Sequence, residues 1–105
     1  MEGCPVGYAL SFLEGKWKLR VIYAVGLNDN IRFNELRRQV DGISNLMLSK
    51  TLQELENGGI VARKQYNEVP PRVEYSLTEL GKGIYPVMDS LEKWGELLYL
   101  HIEKQ

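Results

Sequence analysis

Four polar side chains between positions 44 and 54 have a spacing suited to recognising a surface rich in hydrogen-bonding groups. Asn45, Ser49, Lys50 and Gln53 fall at i, i+4, i+5 and i+8, which puts them along one face of an α-helix. The carboxamides of Asn45 and Gln53 match adenine edges, and the Lys50 ammonium matches guanine or phosphate. The hydroxyls of Ser44 and Ser49 suit either a base or the backbone. Taken alone, such a face also fits the solvated side of any amphipathic helix.

The next segment of the chain weighs against that plainer assignment. Residues 61–66 and 72–77 alternate as strands do, and Asn67 to Pro71 joins them through two consecutive prolines. A hairpin directly after a helix-turn-helix makes a winged helix, in which the second helix enters the major groove and the wing reaches backbone or minor groove. Arg72 is the leading wing candidate, with Arg63 and Lys64 behind it, because a guanidinium beside two prolines is cheaply ordered in a narrow groove. A strand arginine paired with Glu68 or Glu74 is the alternative. Arg37 and Arg38, closing the preceding helix, can clamp phosphates or simply offset the C-terminal dipole.

The one cysteine, Cys4, admits two readings. It is an inert small hydrophobe, or a thiol of lowered pKa beside Pro5 at a helix start, open to capping or to bridging with a partner copy. Catalysis finds no support. The single histidine, His101, is far in sequence from Cys4, and there is no His/Cys metal spacing, phosphate loop or nucleophile–base set. No cofactor and no metal is expected.

Composition bounds these readings. The 105 residues suit one domain, expected over 1–105, and are 44% hydrophobic and 26% charged. Such a chain buries roughly two thirds of its unfolded surface and needs no disulfide. No apolar run has transmembrane length, Leu97 to Leu100 included, and the N-terminus lacks a signal-peptide pattern, so a cytoplasmic protein without membrane contact is expected. The net charge of −1 hides an asymmetry: residues 1–72 hold ten Lys/Arg against eight Asp/Glu, and residues 73–105 hold three against six. The basic excess coincides with the winged helix, which permits DNA binding without requiring it.

The elements that must position these groups are legible from punctuation and period. Pro5 opens a helix over 5–13 and Gly15 stops it. Trp17, Val21, Ile22 and Val25 form the stripe of a second helix that ends near Gly26, with Lys16, Lys18 and Arg20 on its polar side and a turn at Asn28–Asn30. Ile31–Arg32 reads as a short edge strand. Phe33, Leu36 and Val40 face inward from a third helix. Ser44 caps a fourth, whose inward stripe is Met47, Leu48, Thr51, Leu52 and Leu55 and whose stop is Gly58–Gly59. Leu46 is the odd apolar member of the outer face, suited to a thymine methyl or to folding back on the core. Thr78 caps a final helical region over 79–103, kinked or broken near Pro86. Along it Val87, Met88, Leu91, Trp94, Leu98 and Ile102 recur at three- and four-residue steps. That stripe is longer than one small domain covers, which suggests burial against a second copy. Trp17 and Trp94 are read as packing anchors rather than ligand groups.

Several segments together resemble the HxlR-type family, a branch related to the MarR-like bacterial winged-helix regulators. They are Cys4-Pro5-Val6, Gly15 to Leu19, Arg32 to Arg38, Gly42-Ile43-Ser44, Met47-Leu48, Leu52 to Glu56, Val69 to Thr78 and Trp94-Gly95. The likeness runs over about nine tenths of the chain in order and spacing. It implies a mainly α fold with a small β-hairpin, a winged helix-turn-helix (33–57, wing 61–77) with extra N- and C-terminal helices (5–13 and 79–103) for dimerisation. It further implies a dimeric, sequence-specific regulator of transcription. Some relatives respond to oxidants or electrophiles through the cysteine matching Cys4. With no second cysteine in this sequence, a Cys4–Cys4 bridge or a mixed modification is what remains.

The expected partners are therefore double-stranded DNA and a second copy of the chain, the latter through Val87, Leu91, Trp94, Leu98 and Ile102. Arg37, Arg38, Ser44, Asn45, Ser49, Lys50, Gln53, Lys64 and Arg72 are the DNA-contact candidates. An oxidant or a small apolar effector, held near Trp17, Tyr23 or Trp94 with Pro86 as hinge, stays open. So does a winged helix used to dock another protein.

Overall fold

A computed structural model describes residues 3–28 and 30–104 of the chain. Asp29, the middle of the expected Asn28–Asn30 turn, lies outside the described residues, as do Met1, Glu2 and Gln105. Helices α1 (Pro5–Leu13) and α2 (Lys18–Gly26) come first, followed by strand β1 (Ile31–Arg32) and helices α3 (Phe33–Gln39) and α4 (Asn45–Asn57). Strands β2 (Val61–Tyr66) and β3 (Arg72–Leu77) form the hairpin, and helices α5 (Glu79–Lys82) and α6 (Tyr85–Glu103) close the chain.

Local chemistry fixes the boundaries of α4. The Ser44 hydroxyl accepts the Met47 N–H at 3.0 Å, satisfying one of the otherwise unpaired donors of the first turn. At the other end Gly59 adopts φ +76°, a left-handed conformation open to glycine at no steric cost. The chain reversal lets Gly59 N–H donate to the Glu56 carbonyl at 3.0 Å and Ile60 N–H to that of Leu55 at 2.9 Å. This paired closure is a Schellman motif. It leaves α4 well defined at both ends.

The hairpin is not alone. β1 pairs antiparallel with β3, so the sheet has three strands in the order β1-β3-β2. Ile31 lies opposite Tyr75 and Arg32 opposite Glu74, while β2 and β3 pair from Val61 with Leu77 to Tyr66 with Arg72. The alternation expected along β3 is blurred: Leu77 alone is fully buried and Arg72 to Ser76 are all half-buried. Leu77 sits over the core, whereas toward the tip Arg72 and Glu74 cover one another.

The core joins α2, α3, α4 and the sheet. Val21, Ile22, Val25, Leu36, Leu48, Leu52, Leu55 and Val61 exclude solvent almost completely, the burial that dominates the stability of a domain this size. The terminal helices add only partly buried side chains at the edge of the core, Phe12 and Leu13 from α1. Neither α1 nor α6 has a buried residue. The radius of gyration is 15.5 Å, against about 13 Å for a compact domain of this length.

The final helical region is broken rather than kinked. Gly83 N–H donates to Leu80 and Ile84 N–H to Gly81, each at 3.1 Å, which tightens the end of α5. Pro86 then occupies the first turn of α6, where a missing N–H forfeits no helical hydrogen bond. Among the described residues no helix is long and apolar enough to cross a membrane.

Candidate nucleic-acid interface

Helix α4 separates cleanly into two faces. Leu48, Thr51, Leu52 and Leu55 are buried, while Asn45, Leu46, Ser49, Lys50 and Gln53 are exposed. Leu46 is 82% exposed and does not fold back on the core. Asn45, Ser49 and Lys50 make no hydrogen bond or ion pair with other described residues, so their polar groups face water. Gln53 is engaged along the helix, its Nε2 donating to Asn57 Oδ1 at 3.0 Å. Ser44 opens the same face, but its hydroxyl is committed to the cap. A rigid helix with one dry face and one row of donors and acceptors has the form required to lie in a groove.

Arg72 is held on the wing itself. Its guanidinium stacks on the Tyr66 ring at 3.9 Å, lies 3.3 Å from a Glu68 carboxylate oxygen, and its Nε is 3.5 Å from Glu74. The Nε contact is an ion pair without hydrogen-bond geometry. Both acidic partners considered from the sequence are therefore engaged together. Lys64 lies across Glu74 in the register, with its ammonium 4.9 Å from the Tyr66 ring centre. Arg63 sits one register step away, opposite Tyr75.

On α3, Arg37 is exposed and without a partner among the described residues. Arg38 is paired with Glu35 one turn earlier. The hydrogen bond from Arg38, reinforced by one from Gln39, holds the Glu35 carboxyl below the usual carboxylate range. Arg38 and Arg72, distant in sequence, open onto one cleft between α3 and the tip end of β3.

The long apolar stripe of α6 is uncovered. Val87, Leu91, Leu98 and Ile102 are exposed, and Trp94 is 57% exposed. Leu97, Tyr99 and Leu100 are exposed too, as are Val6, Tyr8 and Leu10 on α1. Leu97, Tyr99 and Leu100 lie outside the stripe that the three- and four-residue spacing picks out, and the sequence signals them only as an apolar run too short for a membrane. An apolar surface this extensive is unusual on a monomer. Tyr23 borders two apolar grooves between α2 and α6, of about 180 and about 380 Å³, which Trp17 and Trp94 do not line.

Cys4 is exposed at the N-cap position of α1. The backbone N–H groups of Gly7 and then Val6 favour its thiolate and lower its pKa from the usual thiol value. Among the described residues no cluster of His, Cys, Asp or Glu could hold a metal.

Comparison with known proteins agrees with this geometry. The model of the HxlR-like helix-turn-helix family matches residues 12–103. The uncharacterized HTH-type transcriptional regulator YybR of Bacillus subtilis is 46% identical over 95 residues, which span 90% of this chain and 75% of that protein. Among solved structures, the redox regulator HypR in its reduced form superposes with a TM-score of 0.87 at 41% identity, covering 97% of this chain and all of the other. A transcriptional regulator of the MarR family from Porphyromonas gingivalis W83 gives a TM-score of 0.84 at 44% identity, covering 91% and 93% of the two chains. With its capped outward-facing α4, its wing hairpin in a three-stranded sheet and this span of likeness, the chain belongs to the HxlR-like helix-turn-helix family.

Proposed function

We propose that the protein is a homodimeric transcriptional regulator of the cytoplasm that occupies a palindromic operator in duplex DNA. The observation that carries this reading is the two-faced α4, packed into the core on one side and offering hydrogen-bonding side chains to water on the other. Asn45, Ser49, Lys50 and Gln53 read base edges from the major groove. Ser44 meets the backbone at the helix start, and Arg37, Arg38, Lys64 and Arg72 supply phosphate or minor-groove contacts. Because Arg72 already has Glu68 and Glu74 as partners, DNA must compete for it.

Burial of Val87, Leu91, Trp94, Leu98 and Ile102 against a second copy accounts for an α6 that the chain does not cover. Two-fold symmetry then carries the reading helices to successive major grooves about 34–36 Å apart. Selection of bound fragments from genomic DNA tests the whole reading. An inverted repeat with half-sites one helical turn apart is expected, and recovery of no enriched sequence would remove it.

The exposed Cys4, with its lowered pKa, favours a second layer in which oxidants or electrophiles tune operator affinity through that thiol. The structural likeness to HypR, itself described as a redox regulator, points the same way. Operator affinity that is the same for wild type and Cys4→Ser, before and after oxidant, would dispose of it.

A further inference from the structure

An open cleft of about 750 Å³ separates the start of α3 from the tip end of β3, bounded by Arg32, Asn34 and Arg38 on one side and by Pro71, Arg72 and Val73 on the other. Its position is set by strand direction. β3 leaves the wing tip at Arg72 and runs toward the core, and β1 pairs with it antiparallel, so β1 runs toward the tip. Arg32 is its last residue, opposite Glu74. β3 extends two residues further, and the cleft lies where that edge has lost its partner. It therefore opens at the wing-tip end of the molecule.

The charges in the cleft are unequal. Arg38 is paired with Glu35, and Arg72 with Glu68 and Glu74. Arg32 is exposed and forms no ion pair with any described residue, since its cross-strand neighbour Glu74 is engaged by Arg72. Three guanidiniums thus converge on a space lined by a single carboxylate, that of Glu35, with the Asn34 amide beside them. A planar, permanently charged fork is well matched to phosphate oxygens.

We propose that this cleft is a phosphate site filled by the duplex backbone, with Arg32 as its uncommitted charge. The inference rests on the function proposed above. Neighbouring major and minor grooves are separated by one sugar-phosphate strand. A protein with α4 in one groove and its wing in the next has that strand running between them, and this cleft, bounded by the helix that precedes α4 and by Arg72 beside the wing tip, is the recess offered to it. Arg32 contacts phosphate and carries no sequence information.

The test compares wild type, Arg32→Gln and Lys82→Gln, the last a control for loss of one positive charge on α5, away from the cleft. Each is titrated with the selected operator and with random duplex across a salt series. For Arg32→Gln the slope of log affinity against log salt should fall by about 0.9 per protomer. Affinity should drop on both DNAs, with the preference for operator retained. A slope equal to that of Lys82→Gln overturns the proposal. If inorganic phosphate raises the melting temperature of wild type but not of Arg32→Gln while DNA binding is unaffected by the substitution, the occupant is free phosphate and the backbone assignment fails. Wild type that binds neither duplex sinks the functional reading along with this one, whereas an unchanged Arg32→Gln slope sinks this one alone.

Discussion

The Phe12 ring lies against Gly58 so closely that a Cβ at position 58 would stand 2.7 Å from the ring Cζ. This contact joins the end of α1 to the C-cap of α4. Lys18 reinforces it. Its ammonium donates to the Phe12 carbonyl at 2.8 Å, lies 3.3 Å from the Glu54 carboxylate and sits 4.6 Å from the Phe12 ring centre. The N-terminal arm that carries Cys4 is thereby seated on the helix whose far face is assigned to DNA.

Gly58→Ala tests that seat, because two effects of opposite sign compete there. Gly58 has φ −79°, a helical value, where alanine normally gains about 0.5–1 kcal/mol over glycine. Overlap with the Phe12 ring should reverse this, giving a loss of about 1–3 kcal/mol as the ring is displaced. In a Phe12→Ala background the same substitution should be neutral or stabilising. Denaturant unfolding of the four proteins at one concentration measures the coupling. A zero coupling term would mean that α1 is not held at this point.

Much of this arrangement was legible in the sequence. Pro5, Gly15, Ser44 and the Gly58–Gly59 pair are strong local punctuation, and α1, α4 and the wing strands begin and end where those residues dictate. The polar face of α4 was evident from period alone. The contacts that assemble the site were not. A two-residue β1 has no period, so neither its pairing with β3 nor the cleft that its ending leaves could be read. Lys18 looked like a solvated charge on α2, yet it is tucked between Phe12 and Glu54, a pairing that no local pattern announces. For Arg72, composition offered Glu68 or Glu74 as partners, and only the register, which stacks it on Tyr66, explains how it serves both.

The uncovered α6 predicts that Trp94 acts between copies rather than within one. Trp94→Glu should convert a dimer to a monomer in sedimentation while leaving the far-ultraviolet circular dichroism unchanged, since Trp94 is outside the buried core. Operator affinity should then fall by about 10²–10⁴, the gain that a linked second site confers. A Trp94→Glu protein that remains dimeric would place the interface elsewhere.

Cys4 should react as a thiolate at lower pH than an ordinary cysteine. Alkylation rate against pH should have its midpoint below that of the same thiol in the urea-unfolded chain, because Gly7 and Val6 N–H groups favour the anion only when α1 is formed. The sign carries into stability. With the folded pKa depressed, the stabilising contribution is present above the unfolded thiol pKa and is lost as pH falls through the folded value. Coincident midpoints in the folded and unfolded chains would remove the helix start as the cause.

Lys50 and Gln53 differ in what they must give up to meet a base. Lys50 has no partner among the described residues to release, whereas Gln53 must leave Asn57, so part of what it gains from DNA offsets an existing hydrogen bond. Lys50→Ala should therefore cost more at the operator than Gln53→Ala, within the roughly 1–3 kcal/mol of a bidentate base contact. Both losses should be far smaller on random duplex, where only phosphate contacts persist. Equal losses on the two DNAs would make the residue a backbone contact and shift base reading to Asn45 and Ser49. A Gln53→Ala loss exceeding that of Lys50→Ala would mean that the Asn57 bond orients the Gln53 carboxamide for the base instead of competing with it. Asn57→Ala decides between these cases: it should strengthen binding if the bond competes and weaken it if the bond orients.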